Sequence, residues 1–166
     1  MKLSLLSVAL LLTGSLYATQ EHKLSPTKEG LIAVKLFDTA LTLSLGEKLK
    51  ETNSTMTKLQ MCTSAADATM KKMNSELPEH VKMSIASLDA SSTLSDTDVK
   101  IMKKYQNDIK KKTAGAMIIS TAKVGDTTRV YKPLLVDYLW LKCYEDQDSV
   151  KVGDFKGVII SEVSAH

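Results

Sequence analysis

The apolar positions of this chain follow a helical period over the first half and a strand period over much of the second. Between Ser25 and Leu49, the residues Leu31, Val34, Leu41, Leu45 and Leu49 recur at mostly helical spacings. Ser25 is placed to cap that helix. Pro26 suits its first position, where a missing N–H would have had no intrahelical partner. The stretch "STMTKLQMCTSAADATMKKMNSEL" predicts a second helix. Its apolar face is formed by Met56, Leu59, Cys62, Ala66, Met70, Met73 and Leu77, which advance by three or four residues at a time until Pro78 ends the helix. Cys62 is therefore predicted to point inward.

Beyond Pro78, Val81, Met83 and Ile85 alternate with Lys82 and Ser84, the period of a half-buried strand. Ser95 and Asp98 have capping-box spacing and open a third helix that runs to about Lys112 and buries Met102, Tyr105 and Ile109. "AGAMIISTAK", a turn at Gly125 and Asp126, "TTRVY", "LLVDYLWLK" and "DFKGVIISEV" then read as strands. "LLVDYLWLK" carries Leu134, Val136, Tyr138 and Trp140 on one face and Leu135, Leu139, Leu141 and Cys143 on the other, which predicts a strand covered on both sides. On that reading Trp140 is a core or pocket-wall aromatic, Cys143 a small buried hydrophobe and Tyr144 a partly exposed strand-end residue. Helices first and strands afterwards, with no repeats or low-complexity linkers, indicate a single α+β domain.

The N-terminus changes where that domain is expected to live. Met1 and Lys2 followed by "LSLLSVALLLTGSLYA" have the positive start, apolar core and small-residue end of a secretory signal peptide, with cleavage predicted after Ala18. The core is shorter than the ~20 residues of a spanning helix, and polar "TQEHKLSPTKEG" follows it. Residues 19–166 are thus expected as one periplasmic domain without a membrane anchor. Charge adds little: 22 Lys and Arg against 19 Asp and Glu, mixed in sign along most of the chain. The basic cluster "MKKYQNDIKKK" lies beside Asp96, Asp98 and Asp108 and reads as a solvated helix face, so nucleic acid is not expected as a partner.

Candidate chemistry is sparse. There is no Cys-x-x-Cys, no His-rich metal spacing, no Gly-rich phosphate loop and no nucleophile elbow, so no catalytic or metal-binding residue is assigned and the chain does not read as an enzyme. His22, His80 and His166 sit singly on polar segments and read as solvated. Met56, Met70 and Met73 read as core filler. Two cysteines in an exported chain allow a Cys62–Cys143 disulfide or two separate thiols, and sequence alone does not establish their proximity.

Four segments, "LQMCTSAADATMKKM", "RVYKPLLV", "WLKCYED" and "VGDFKGVIISEV", resemble in order and spacing those of the PAS-like, Tll-type exported bacterial domains. That family is of unknown function and often carries one c-type haem motif. Its third segment usually reads Cys-Leu-Lys-Cys-His-Gly, and its fourth begins Gly-Asp-Leu-Arg-Gly. Here Trp140 stands at the first haem cysteine, Cys143 keeps the second, Tyr144 replaces the axial histidine and Glu145 replaces the glycine. The family's Arg-Asn-Pro-x-Asn segment has no good match in "LDASSTLSD". Covalent attachment ordinarily uses two thiols and the adjacent imidazole, so the motif is degenerate and no cofactor is expected.

The resemblance implies a PAS-like α+β fold in which N-terminal helices pack with a central antiparallel sheet. It also implies a domain that binds a small molecule or senses redox state for a partner protein. The site residues would be Trp140, Cys143, Tyr144, Tyr138 and Tyr131. The alternative is a divergent haem protein that holds haem non-covalently or by one thioether and acts in electron transfer.

Overall fold

The computed structural model describes residues 24–51, 55–87, 94–112, 118–144 and 150–165. The predicted leader, together with His22, Glu145 and His166, lies outside the described residues. Helix α1, Pro26–Lys48, starts as the sequence predicts, with Pro26 in its first turn, although the Ser25 side chain makes no capping hydrogen bond. Its buried face holds Val34, Phe37, Leu41 and Leu45 together with Gly30, Ala33 and Ala40, while Leu31 and Leu49 are only half-buried. Those small residues let the helix lie close to the sheet. A Cβ added at Gly30 would stand 2.6 Å from Val130 Cγ2.

Helix α2, Lys58–Glu76, begins later than its apolar stripe suggests. Thr57 and Gln60 form a capping box in which the Gln60 amide donates to Thr57 Oγ1 at 3.2 Å and the Thr57 amide donates to Gln60 Oε1 at 2.9 Å. Met56 therefore precedes the helix, Leu59 falls in its first turn, and both are more than 40% exposed, contrary to the predicted stripe. Cys62, Ala66 and Met73 do face the core. The helix ends on the Leu77 amide bonded to Met73 O, just before Pro78.

Four strands form one antiparallel sheet in the order β1-β4-β3-β2: β1 Val81–Ala86, β2 Ser120–Val124, β3 Thr127–Leu135 and β4 Phe155–Ser164. Helix α3, Asp96–Lys110, lies between β1 and β2 in sequence, and its Ser95–Asp98 capping box forms as predicted. Successive side chains on a strand point to opposite faces, and both faces of this sheet are used. Val81, Met83, Val130, Ile159 and Val163 pack beneath α1 and α2. Ala86, Tyr131, Val158 and Ile160 pack with Met102 and Tyr105 of α3 on the other face. Ile85, on the face of Val81 and Met83, is exposed and breaks the predicted alternation of β1, whereas this two-sided cover is why Ala86 is buried. It is also why the central strand β4 is buried without interruption from Gly157 to Ser161.

Two devices finish the sheet. At the β1 edge, the Asn74 side chain of α2 satisfies both main-chain groups of Met83, accepting from its amide at 2.7 Å and donating to its carbonyl at 2.8 Å, so part of the strand edge is covered. In β4, Gly157 has φ 154° beside a register shift at Leu134 and Leu135, and a Cβ there would overlap Ala86 O. Only glycine fits that approach.

The predicted strand "LLVDYLWLK" is a strand only at its start. Leu134 and Leu135 end β3, whose pairing with β2 stops at Tyr131, so Pro133 lies where no β2 partner needs its absent N–H. Asp137 then caps a four-residue helix α4, Tyr138–Leu141, its Oδ1 accepting from the Leu139 and Trp140 amides at 2.8 and 2.7 Å. Apolar residues in both strand phases also describe a short helix packed on a core, and the Asp that caps the turn decided between them.

Candidate functional site

The segment after β3 is held at both ends. At its start the Val136 amide bonds Asp154 O and the Gly153 amide bonds Val136 O. At its end Cys143 is joined to Cys62 of α2 in a disulfide with Cα atoms 6.0 Å apart. The inward face read for Cys62 thus meets its partner, and both cysteines are fully buried. Between these anchors Leu139, Trp140 and Tyr144 pack against the α1–α2 core.

Trp140 borders a cleft of about 220 Å³ between α1, the end of β3 and the α4 turn. Asp38, Leu41 and Thr42 come from α1. Lys132 and Leu134 come from the face of β3 that α1 covers, and Asp137 from the cap of α4. Lys132 Nζ pairs with Asp38 across the cleft. Nothing in the sequence alone marked Asp38 or Lys132, since one is a surface-type residue of a helix and the other the Lys of "RVYKPLLV". Only the packing of α1 on β3 brings them together.

The other predicted site residues are distributed differently. Cys143 supplies the disulfide behind the cleft, and Tyr144 is half-buried with Lys156 Nζ 4.9 Å from its ring centroid. Tyr138 is 78% exposed. Tyr131 lies fully buried on the opposite face of the sheet, so it shares no pocket with Trp140.

On that opposite face the structure holds a charged cluster. Asp98, 2% exposed, accepts from the Tyr131 hydroxyl at 2.7 Å, from the Ser95 hydroxyl at 2.6 Å and from Arg129 Nη1 at 2.5 Å; Arg129 Nη2 reaches Glu162 at 3.2 Å. Burial pushes the Asp98 carboxyl up, but the hydrogen bonds from Ser95, Tyr131 and Arg129 outweigh it and hold it below its usual value. Burial, reinforced by the Asp98 carboxylate, drives the Tyr131 phenol well up. The Tyr105 hydroxyl accepts from the Ser120 amide at 2.9 Å and lies 2.7 Å from Ile118 O. Every one of these contacts is internal, so the cluster clamps α3 to the sheet. Ser95 and Asp98 were legible as a cap, but the partners of that carboxylate were not.

His80 differs from its reading as a solvated residue: its Nε2 lies 3.1 Å from Glu29 Oε2, and both side chains are mostly buried. Among the described residues no group of three His, Cys, Asp or Glu side chains could hold a metal ion. Covalent haem does not fit the residues present either. Cys143 is bonded to Cys62 and has no free thiol, residue 140 is an indole and not a second thiol, and the cleft beside them, about 220 Å³, is too small for a haem.

No protein-family model matches the chain, and no curated protein does. Among solved structures, the chain is similar to the crystal structure of the cyanobacterial heme-protein Tll0287, with a TM-score of 0.55 and 10% identity over 82% of this chain and 92% of that one. At that identity the likeness is one of fold. It agrees with the α+β architecture read from the sequence, N-terminal helices packed on an antiparallel sheet. No helix among the described residues is long and apolar enough to cross a membrane.

Proposed function

We propose that this chain is an exported, non-enzymatic PAS-like domain that binds a small ligand in the cleft beside Trp140. The observation that carries the reading is the construction of the cleft: an aromatic wall, apolar Leu41 and Leu134, and charged Asp38, Lys132 and Asp137 converge on one concavity. Concave sites with a mostly apolar lining and a few placed polar groups are where small molecules bind. The periplasm follows from the leader, and a disulfide is compatible with an exported chain.

Ligand binding is favoured over redox sensing because of burial. Thiol–disulfide exchange requires a thiolate to reach a sulfur, and both cysteines are fully enclosed, which is the setting of a structural bridge. A second reading, a divergent haem protein, draws on the fold likeness to Tll0287. It requires the cleft to enlarge and the iron to be held by residues outside the degenerate motif.

The test is native mass spectrometry and visible absorption of the oxidised protein recovered from a periplasm. A small non-covalent adduct that disappears in Thr42→Phe, which fills the cleft from an exposed helix position, supports the proposal. A Soret band with matching haem mass supports the second reading instead. An adduct that survives Thr42→Phe places the ligand elsewhere and defeats this one.

A further inference from the structure

We infer that the Trp140 cleft takes a small organic monocation, an ammonium group on a short apolar body. The inference rests on the proposed ligand-binding role and adds the chemical class. The charges and acceptors left in the cleft decide that class.

Its one cation is already paired. Lys132 Nζ is committed to Asp38. The Thr42 hydroxyl donates to the Asp38 carbonyl at 2.9 Å, and Pro133, which also lines the cleft, has no N–H. Its acceptors are in surplus. Asp137 uses Oδ1 for both amides of the α4 turn, which leaves Oδ2 to accept from a ligand. With Lys132 neutralised by Asp38, the lining keeps one net negative charge, that of Asp137. An anion entering this cleft would meet a net negative charge.

The rest of the lining sets the body of the ligand. Trp140 is in the same wall as Asp137, and an indole attracts cations through its ring quadrupole. Asp137 is exposed at the mouth whereas Leu41 is buried, so the charged end belongs outermost and the apolar end against Leu41 and Leu134. The volume of about 220 Å³ limits that body to a few carbons.

The chain contains one tryptophan, so its intrinsic fluorescence reports on the cleft directly. The probes are n-butylammonium, butyrate and butanol, which share a tail and differ only in charge. The expected result is saturable change of Trp140 emission with n-butylammonium alone, weakened about tenfold or more in Asp137→Asn. That variant keeps its helix cap, because Asn caps as well as Asp. Asp38→Asn releases Lys132 and should transfer the preference to butyrate. Saturation by butanol or butyrate in the unchanged protein leaves the ligand-binding reading standing and overturns the monocation. Silence from all three probes, with Asp38→Asn folded by circular dichroism and equally silent, overturns both.

Discussion

Cys143, just past the α4 turn, is bonded to Cys62, a residue 81 positions earlier on helix α2, and both are sealed in the core. The bridge therefore ties the Trp140 turn to α2 and removes the one thiol that a single thioether could have used. Alkylation of the unfolded, unreduced protein should label no cysteine, and two after reduction. Closing a loop of that length gives roughly 4.5 kcal/mol in the chain-entropy model. Replacing both cysteines by alanine should accordingly lower Tm by about 10 °C or more. Two labelled thiols before reduction would contradict the bridge.

The same bond governs what restoring the motif can do. Matured with c-type haem machinery, the unchanged protein should carry no covalent haem. Trp140→Cys with Tyr144→His creates a Cys-x-x-Cys-His sequence, yet should gain haem only when Cys62→Ser is added, because Cys143 is otherwise occupied. Mass and acid-resistant absorption read the outcome. Covalent haem on the double variant with Cys62 intact would mean that the bridge does not form ahead of attachment.

Asp98 makes the domain sensitive to acid. Its folded carboxyl is held below its usual value, so the unfolded chain takes up the proton first and stability falls as pH drops below about 4. Asp98→Ala should cost about 3–5 kcal/mol at neutral pH, since it strands the Arg129 charge and the Tyr131 hydroxyl. Asp98→Asn should cost less and flatten the acid limb. Urea titrations at several pH values measure both, and an unchanged acid limb in Asp98→Asn would assign the pH dependence to other groups.

Alkali should act on the same face. Burial raises the phenols of Tyr131 and Tyr105 above 10.0, so the folded state keeps protons that the unfolded chain gives up. Their contribution to stability is complete below about pH 10 and is lost as pH climbs toward the folded values. Ultraviolet titration should show these two tyrosines ionising only with unfolding. Ionisation of Tyr105 and Tyr131 while the protein is still folded would contradict the buried arrangement.

Local physics made much of this protein legible in advance. Pro26, the Ser95–Asp98 box, Pro78 and the turn at Gly125 act through neighbours a few residues away, and each did what its chemistry dictates. The inward direction of Cys62 followed from helical period alone. Where the reading failed, the missing term was non-local. Leu59 turned outward because its capping box left it in a first turn that no described residue covers. Ala86 is buried because α3 covers the second face of the sheet, which no single strand records. "LLVDYLWLK" is apolar in either period, and its helical end depended on Asp137 and on the tether at Cys143. Tyr131 was separated from Trp140 because the pleat sends it to the other face. The meeting of Cys62 with Cys143, of Asp98 with Tyr131 and of Asp38 with Lys132 was decided only by tertiary packing, since each pair joins elements whose proximity is a property of the assembled sheet and its helices.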